Sequence, residues 1–125
     1  MTLRFVTQTV HAYLDYPVAA GLMAMPFILP LGASGTLAVW LSVATGIAAF
    51  VLTVFTDHKL SVVPIIPFAG HLIVDFLVGI TFALAPTILG FSGIDAWYYW
   101  INGAAVIAVV SLHQPLATRG NTAPA

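Results

Sequence analysis

His11 and Asp15 stand four residues apart, and the same two residue types recur at His71 and Asp75, sixty residues further on. Imidazole exchanges protons near neutral pH, binds first-row divalent metals and can hold haem iron, and a carboxylate can share the metal or pair with the imidazole. A spacing of four places each His over its Asp on one face of a helix. The chain has four histidines, four acidic residues, all Asp, and three basic residues, so charged residues are 6% of the total. Two His–Asp pairs are therefore a large share of its chemically active side chains.

The recurrence is wider than these four residues. At a constant spacing of sixty, Val18 pairs with Val78, Pro26 with Pro86, Trp40 with Trp100, Ala44 with Ala104 and Ile47 with Ile107. Matched His, Asp, Pro and Trp carry the argument, because those types are scarce in this chain, and they imply a tandem duplication. On the same register His113 pairs with Thr53 rather than with His58. That predicts His113 about 7 Å deeper in its helix than His58, at 1.5 Å per residue.

Composition decides the class that must position these groups. Hydrophobic residues make up 61% of the 125 and the mean hydropathy is +1.06. A soluble domain of this size carries about a quarter charged residues, so the composition points to a bilayer. The absence of cysteine excludes disulfides, thiolate ligands and a Cys nucleophile, and a net charge of −1 gives nucleic acid no electrostatic foothold. Four apolar stretches, about 5–31, 36–55, 67–89 and 96–112, each approach the ~20 residues of a spanning helix. Turn-forming residues separate them at 30–35 and 90–95. Pro67 suits the start of the third helix.

The expected fold is thus all-α: an integral membrane four-helix bundle of two tandem two-helix repeats. Residues 1–62 form the first repeat, 63–115 the second, and 116–125 a disordered tail. Two spans per repeat bring both copies in from the same side, related by a pseudo-dyad along the membrane normal. Arg4, Lys59 and Arg119 all fall on the side of the termini and the central loop. The positive-inside rule then places the chain in a cell inner membrane, multi-pass, with both termini cytoplasmic. All four histidines fall on that same side.

An Asp within a span costs roughly 2.5–3.5 kcal/mol at the bilayer centre, so Asp15 and Asp75 are expected to face the bundle interior. Two readings of the cluster His11, Asp15, His71, Asp75 and His113 stay open. In one, each Asp pairs with a His and staples the helices. In the other, haem or a divalent metal is bound, with His11, His71 and His113 as candidate ligands, or protons or ions move through the carboxylates. His58 reads as a solvated loop residue and Asp95 as a cap on the fourth helix. Trp40, Trp97, Tyr98, Tyr99 and Trp100 read as an interfacial aromatic belt at the far side. Pro17, Pro26 and Pro86 are expected to bend their helices. Gly79 with Ala83, Ala44 with Ala48, and Gly103 and Ala104 with Ala108 have the small-residue spacing of close helix contact.

The segment Ala83-Leu-Ala-Pro-Thr-Ile-Leu-Gly-Phe-Ser92 resembles the signature of SPW-repeat membrane proteins, in which a Ser-Pro-Trp triplet lies in the first helix of a two-helix unit. Ala85-Pro86-Thr87 and Met25-Pro26-Phe27 occupy the place of the triplet and keep its proline. The stretch Phe55-Thr-Asp-His-Lys-Leu, then Pro67 and His71-Leu-Ile-Val-Asp75, is also similar to two-unit members. The resemblance covers roughly residues 10–112. It implies four helices in two repeats and no particular activity.

From the residues themselves, catalysis is not expected: no nucleophile–base pair, phosphate loop or sizeable extramembrane segment is visible. The expected role is a non-enzymatic accessory or scaffolding subunit, packed in the bilayer against itself or a larger membrane complex.

Overall fold

The computed structural model describes residues 3–116. The tail expected over 116–125 lies, apart from Leu116, outside the described residues, and so does Arg119. The described chain is all-helical, with four helices: α1 Gln8–Ile28, α2 Leu37–Phe55, α3 Phe68–Leu89 and α4 Gly93–Ser111. At 1.5 Å per residue they are about 28–33 Å long. Helices α2 and α3 are each long and apolar enough to cross a membrane.

Local chemistry sets the ends. The Thr7 side chain accepts a hydrogen bond from the Val10 N–H and caps α1. Pro67 precedes the first turn of α3, where its missing N–H leaves no gap. Gly90 ends α3 in the left-handed region, φ 73°, and its N–H bonds back to the Pro86 carbonyl. Helix α1 begins at Gln8, nine residues before Pro17. It remains helical through Pro17 and Pro26, as α3 does through Pro86.

The helices pair as two hairpins, α1 with α2 and α3 with α4, whose backbones run close together. The approach depends on glycine. A Cβ on Gly46 would stand 2.9 Å from the Ala19 carbonyl oxygen and the Met23 nitrogen. One on Gly103 would stand 2.9 Å from the Gly79 carbonyl oxygen and 2.7 Å from the Ala83 nitrogen. Ala19 and Gly79 are sixty apart, as are Met23 and Ala83, but Gly46 and Gly103 are 57 apart. The backbone bonds agree. Ile66 N–H donates to the Phe55 carbonyl and Asp57 N–H to the Ile66 carbonyl, while Val6 N–H donates to Leu112 and Gln114 N–H to Val6.

The ungapped register of sixty therefore fails in the second helix of each hairpin. The turn from α1 to α2 spans 29–36, whereas that from α3 to α4 spans only 90–92, and the shorter turn shifts α4 by about one helical turn. Trp40 then corresponds to Trp97, and His113 to Thr56 rather than to Thr53. Of the expected small-residue contacts, Gly79, Ala83 and Gly103 meet, while Ala44 and Ala48 are exposed.

The two hairpins are tied at both ends and stand apart between. At the turn end, the Asp95 carboxylate accepts from the Gly32 and Ser34 N–H groups at 2.9 and 2.8 Å. Tyr99 donates to the Ala38 carbonyl, and Ser42 pairs with Tyr98 while donating to the Leu22 carbonyl. Asp95 is thus a fully buried bridge between hairpins and not a cap on α4. The aromatic belt also needs correction. Trp40, Trp97 and Trp100 face outward, but Tyr98 and Tyr99 are buried with Phe82 and Phe91, because their hydroxyls find partners inside. Between the ends lies a cleft of about 650 Å³, lined by all four helices.

Candidate functional site

At the terminal end of the cleft, α1 and α3 bring His11, Asp15, His71 and Asp75 together. Both pairs lie one helical turn apart on the inward face, as the spacing requires. His11 is 2% exposed and His71 1%. One ligand atom from each of the four residues lies within 4.8 Å of the others. The His11 Nε2 is 2.7 Å from Asp75 Oδ2 and 3.1 Å from Asp15 Oδ1. The His71 Nε2 is 3.1 Å from Asp75 Oδ2 and 3.2 Å from Asp15 Oδ2. Each nitrogen therefore faces both carboxylates, one from its own helix and one from the other hairpin.

Hydrogen bonding accounts for part of this arrangement. The 2.7 Å approach has hydrogen-bond geometry, whereas Asp15 Oδ2, buried and 3.2 Å from His71, makes none. Of the four approaches only that of His11 to Asp75 is a hydrogen bond, yet each Nε2 stands within 3.2 Å of an oxygen of both carboxylates.

The outer side of His71 is better determined. Its Nδ1 lies 2.7 Å from Thr56 Oγ1, and Thr56 is also 2.6 Å from the Leu52 carbonyl. The carbonyl can only accept, so the hydroxyl proton goes to Leu52 and Thr56 accepts from Nδ1–H of His71. His71 thus has its Nδ1 proton fixed and its Nε2 turned to the carboxylates.

His113 occupies the position corresponding to Thr56, beside His11, with ring centroids 5.5 Å apart. Its Nδ1 donates to the Gln114 carbonyl at 2.7 Å. Its Nε2 and the Nδ1 of His11 are both buried without a hydrogen-bond partner. His113 is therefore an outer neighbour of the cluster, and its inner nitrogen does not reach the carboxylates. Burial holds it below the usual imidazole pKa.

Two residues of the site were not anticipated. Thr56 escaped because the register of sixty matched the wrong position to His113. Phe68, 6% exposed, lies stacked on His71 at 5.6 Å and edge-on to His11 at 5.5 Å, and it also contacts His113 and His58. It covers the cluster from the terminal side, a role that one apolar residue among many does not advertise. His58 is half-buried over Phe68, and its Nδ1 accepts from the Leu60 N–H. It is not the freely solvated residue expected, and burial lowers its pKa. Tyr16, one position after Asp15, donates to the Leu60 carbonyl and ties the inter-hairpin segment to α1.

Comparison with known proteins gives no match to a protein-family model, a curated protein or a solved structure.

Proposed function

We propose that the chain is a non-enzymatic integral membrane protein, spanning the bilayer with all four helices and serving as an accessory or scaffolding subunit. The carrying observation is an inverted distribution of polarity. His11, His71, Asp95, Ser42, Thr53 and Thr56 are buried, while Phe27, Ile73, Leu77, Leu84, Ile88 and Ile101 are at least half exposed. Water would penalise so continuous an apolar exterior, whereas lipid or an apolar partner helix would not. Polar groups turned inward and bonded to one another are what a hydrocarbon solvent demands.

In this reading both termini and the linker at 56–67 lie on the cytoplasmic side, and the hairpins are two copies of one unit, as in SPW-repeat proteins. The outward Trp40, Trp97 and Trp100 anchor the opposite interface. The His–Asp cluster holds the hairpins together at the cytoplasmic end. A proton pathway gains less support. Thr45 and Asn102, the polar residues further along the cleft, are each bonded to their own helix.

The chain has no cysteine, so single-cysteine variants test the topology directly. In intact cells, a membrane-impermeant thiol reagent is expected to label Ala33→Cys in the first turn and to spare Val62→Cys in the linker until the membrane is opened. Equal labelling of both, or recovery of the protein in the soluble fraction without detergent, would overturn the proposal.

A further inference from the structure

The geometry points to His11, Asp15, His71 and Asp75 as a four-ligand site for a divalent first-row transition metal, with Zn²⁺ the best fit. The inference stands independently of the accessory role.

Ligand count and spacing come first. Two imidazoles and two carboxylates form a donor set that Zn²⁺ takes in tetrahedral sites. With metal–ligand distances of 2.0–2.2 Å, the edge of such a tetrahedron is about 3.3–3.5 Å. The four His–Asp approaches here are 2.7, 3.1, 3.1 and 3.2 Å, the two at Asp15 falling on different oxygens, and one donor atom from each of the four residues lies within 4.8 Å of the others. Rearrangements of a few tenths of an ångström to about 1 Å per donor pair turn the group into a coordination sphere. The donors are already convergent, since each Nε2 faces both carboxylates.

The supporting shell is also of the metal-site kind. A ligating imidazole characteristically donates its other N–H to a fixed acceptor, which sets the tautomer and aims the lone pair. Thr56 does this for His71: with the Nδ1 proton held by the hydroxyl, Nε2 of the neutral ring presents its lone pair to the site. At the corresponding position beside His11, the Nε2 of His113 is an acceptor and the Nδ1 of His11 needs one. His113 is the positioning residue for His11, its ring centroid 5.5 Å from that of His11.

Charge supports the same conclusion. Two carboxylates and one divalent ion sum to zero around two neutral imidazoles, the balance a buried site favours. A haem clamped between the histidines is a poor fit, because both nitrogens point at the same carboxylates and the rings lie only 5.4 Å apart.

The test uses the full chain, purified in detergent and stripped with a chelator. Titration with Co²⁺ alone is expected to give intense visible d–d absorption of a tetrahedral site, saturating at one ion per chain and displaced by Zn²⁺ alone. Thr56→Val leaves all four ligands in place and is expected to weaken Zn²⁺ binding about 10–100-fold. His113→Ala is expected to weaken it in the same sense, with the tetrahedral Co²⁺ spectrum retained. A wild-type protein that stays folded yet shows only the weak spectrum of hexa-aquo Co²⁺, and no stoichiometric Zn²⁺, would overturn the site. So would unchanged Zn²⁺ affinity in Thr56→Val. The central measurement is on the wild type, so a ligand variant that fails to fold leaves it decisive.

Discussion

At the scale of single residues, the His–Asp cluster is asymmetric in a way its sequence spacing conceals. Asp75 uses one oxygen, Oδ2, toward both histidines, while Asp15 divides its two oxygens between them. His71 has its outer nitrogen satisfied by Thr56, whereas the Nδ1 of His11 and the Nε2 of the neighbouring His113 are both unpaired. The spacing of four correctly implied that each His would share a face with its Asp. It could not show that each His would also reach the Asp of the other hairpin, because that contact depends on how two helices cross. His113 carries a pH prediction. Burial lowers its pKa in the folded protein from the ordinary 6.5, so below that value the unfolded chain binds more protons there than the folded chain. Stability should therefore fall as pH drops from about 6.5 toward the folded pKa. Thermal unfolding of the chelator-treated protein between pH 7 and 5 is expected to show a shallower decline in His113→Gln than in the wild type. Parallel curves would show that His113 does not titrate differently on folding.

At the scale of elements, the apolar stretches located the four helices to within a few residues, because ~20 apolar residues between turn formers leave little choice. Their pairing rests on residues that carry almost no side chain. Gly46 and Gly103 let backbones meet, and a methyl group at either would stand under 3 Å from backbone atoms that cannot move aside. Gly46→Ala and Gly103→Ala are each expected to destabilise by about 1–3 kcal/mol or more, by splaying a hairpin. Gly70→Ala, where the nearest atom would lie at 3.8 Å, is expected to be nearly neutral. Unfolding midpoints of the three variants check the ranking, and equal midpoints would refute it. The same glycines expose the register error. Matching Trp40 to Trp100 looked persuasive because Trp is scarce, yet Trp97 offers an equally good match three residues earlier. Only the packing of Gly46 and Gly103 onto corresponding positions of α1 and α3 selects the spacing of 57 for the second helices.

At the scale of the whole molecule, two hairpins are joined at their ends around an open middle. The cluster with Phe68 closes one end. Asp95, Ser42, Tyr98 and Tyr99 close the other. The two closures are separate, so they should fail separately. Asp95→Ala would leave the Gly32 and Ser34 N–H groups without their carboxylate, a loss on the order of 3 kcal/mol for hydrogen bonds to a charged group. It is expected to lower the unfolding midpoint while leaving the Zn²⁺ affinity of the opposite end unchanged. A midpoint equal to wild type would show that this bridge holds nothing. Composition and periodicity alone determined that the chain is helical and apolar, where its helices run, and that His11, Asp15, His71 and Asp75 are its unusual residues. These are properties of local sequence, set by hydropathy and a period of 3.6. Tertiary structure decided which groups meet: Thr56 with His71, Phe68 over the cluster, Asp95 with a turn some sixty residues away, and Tyr98 and Tyr99 inward rather than outward. Those contacts depend on the length of a turn and on the approach of two hairpins, which no local pattern encodes.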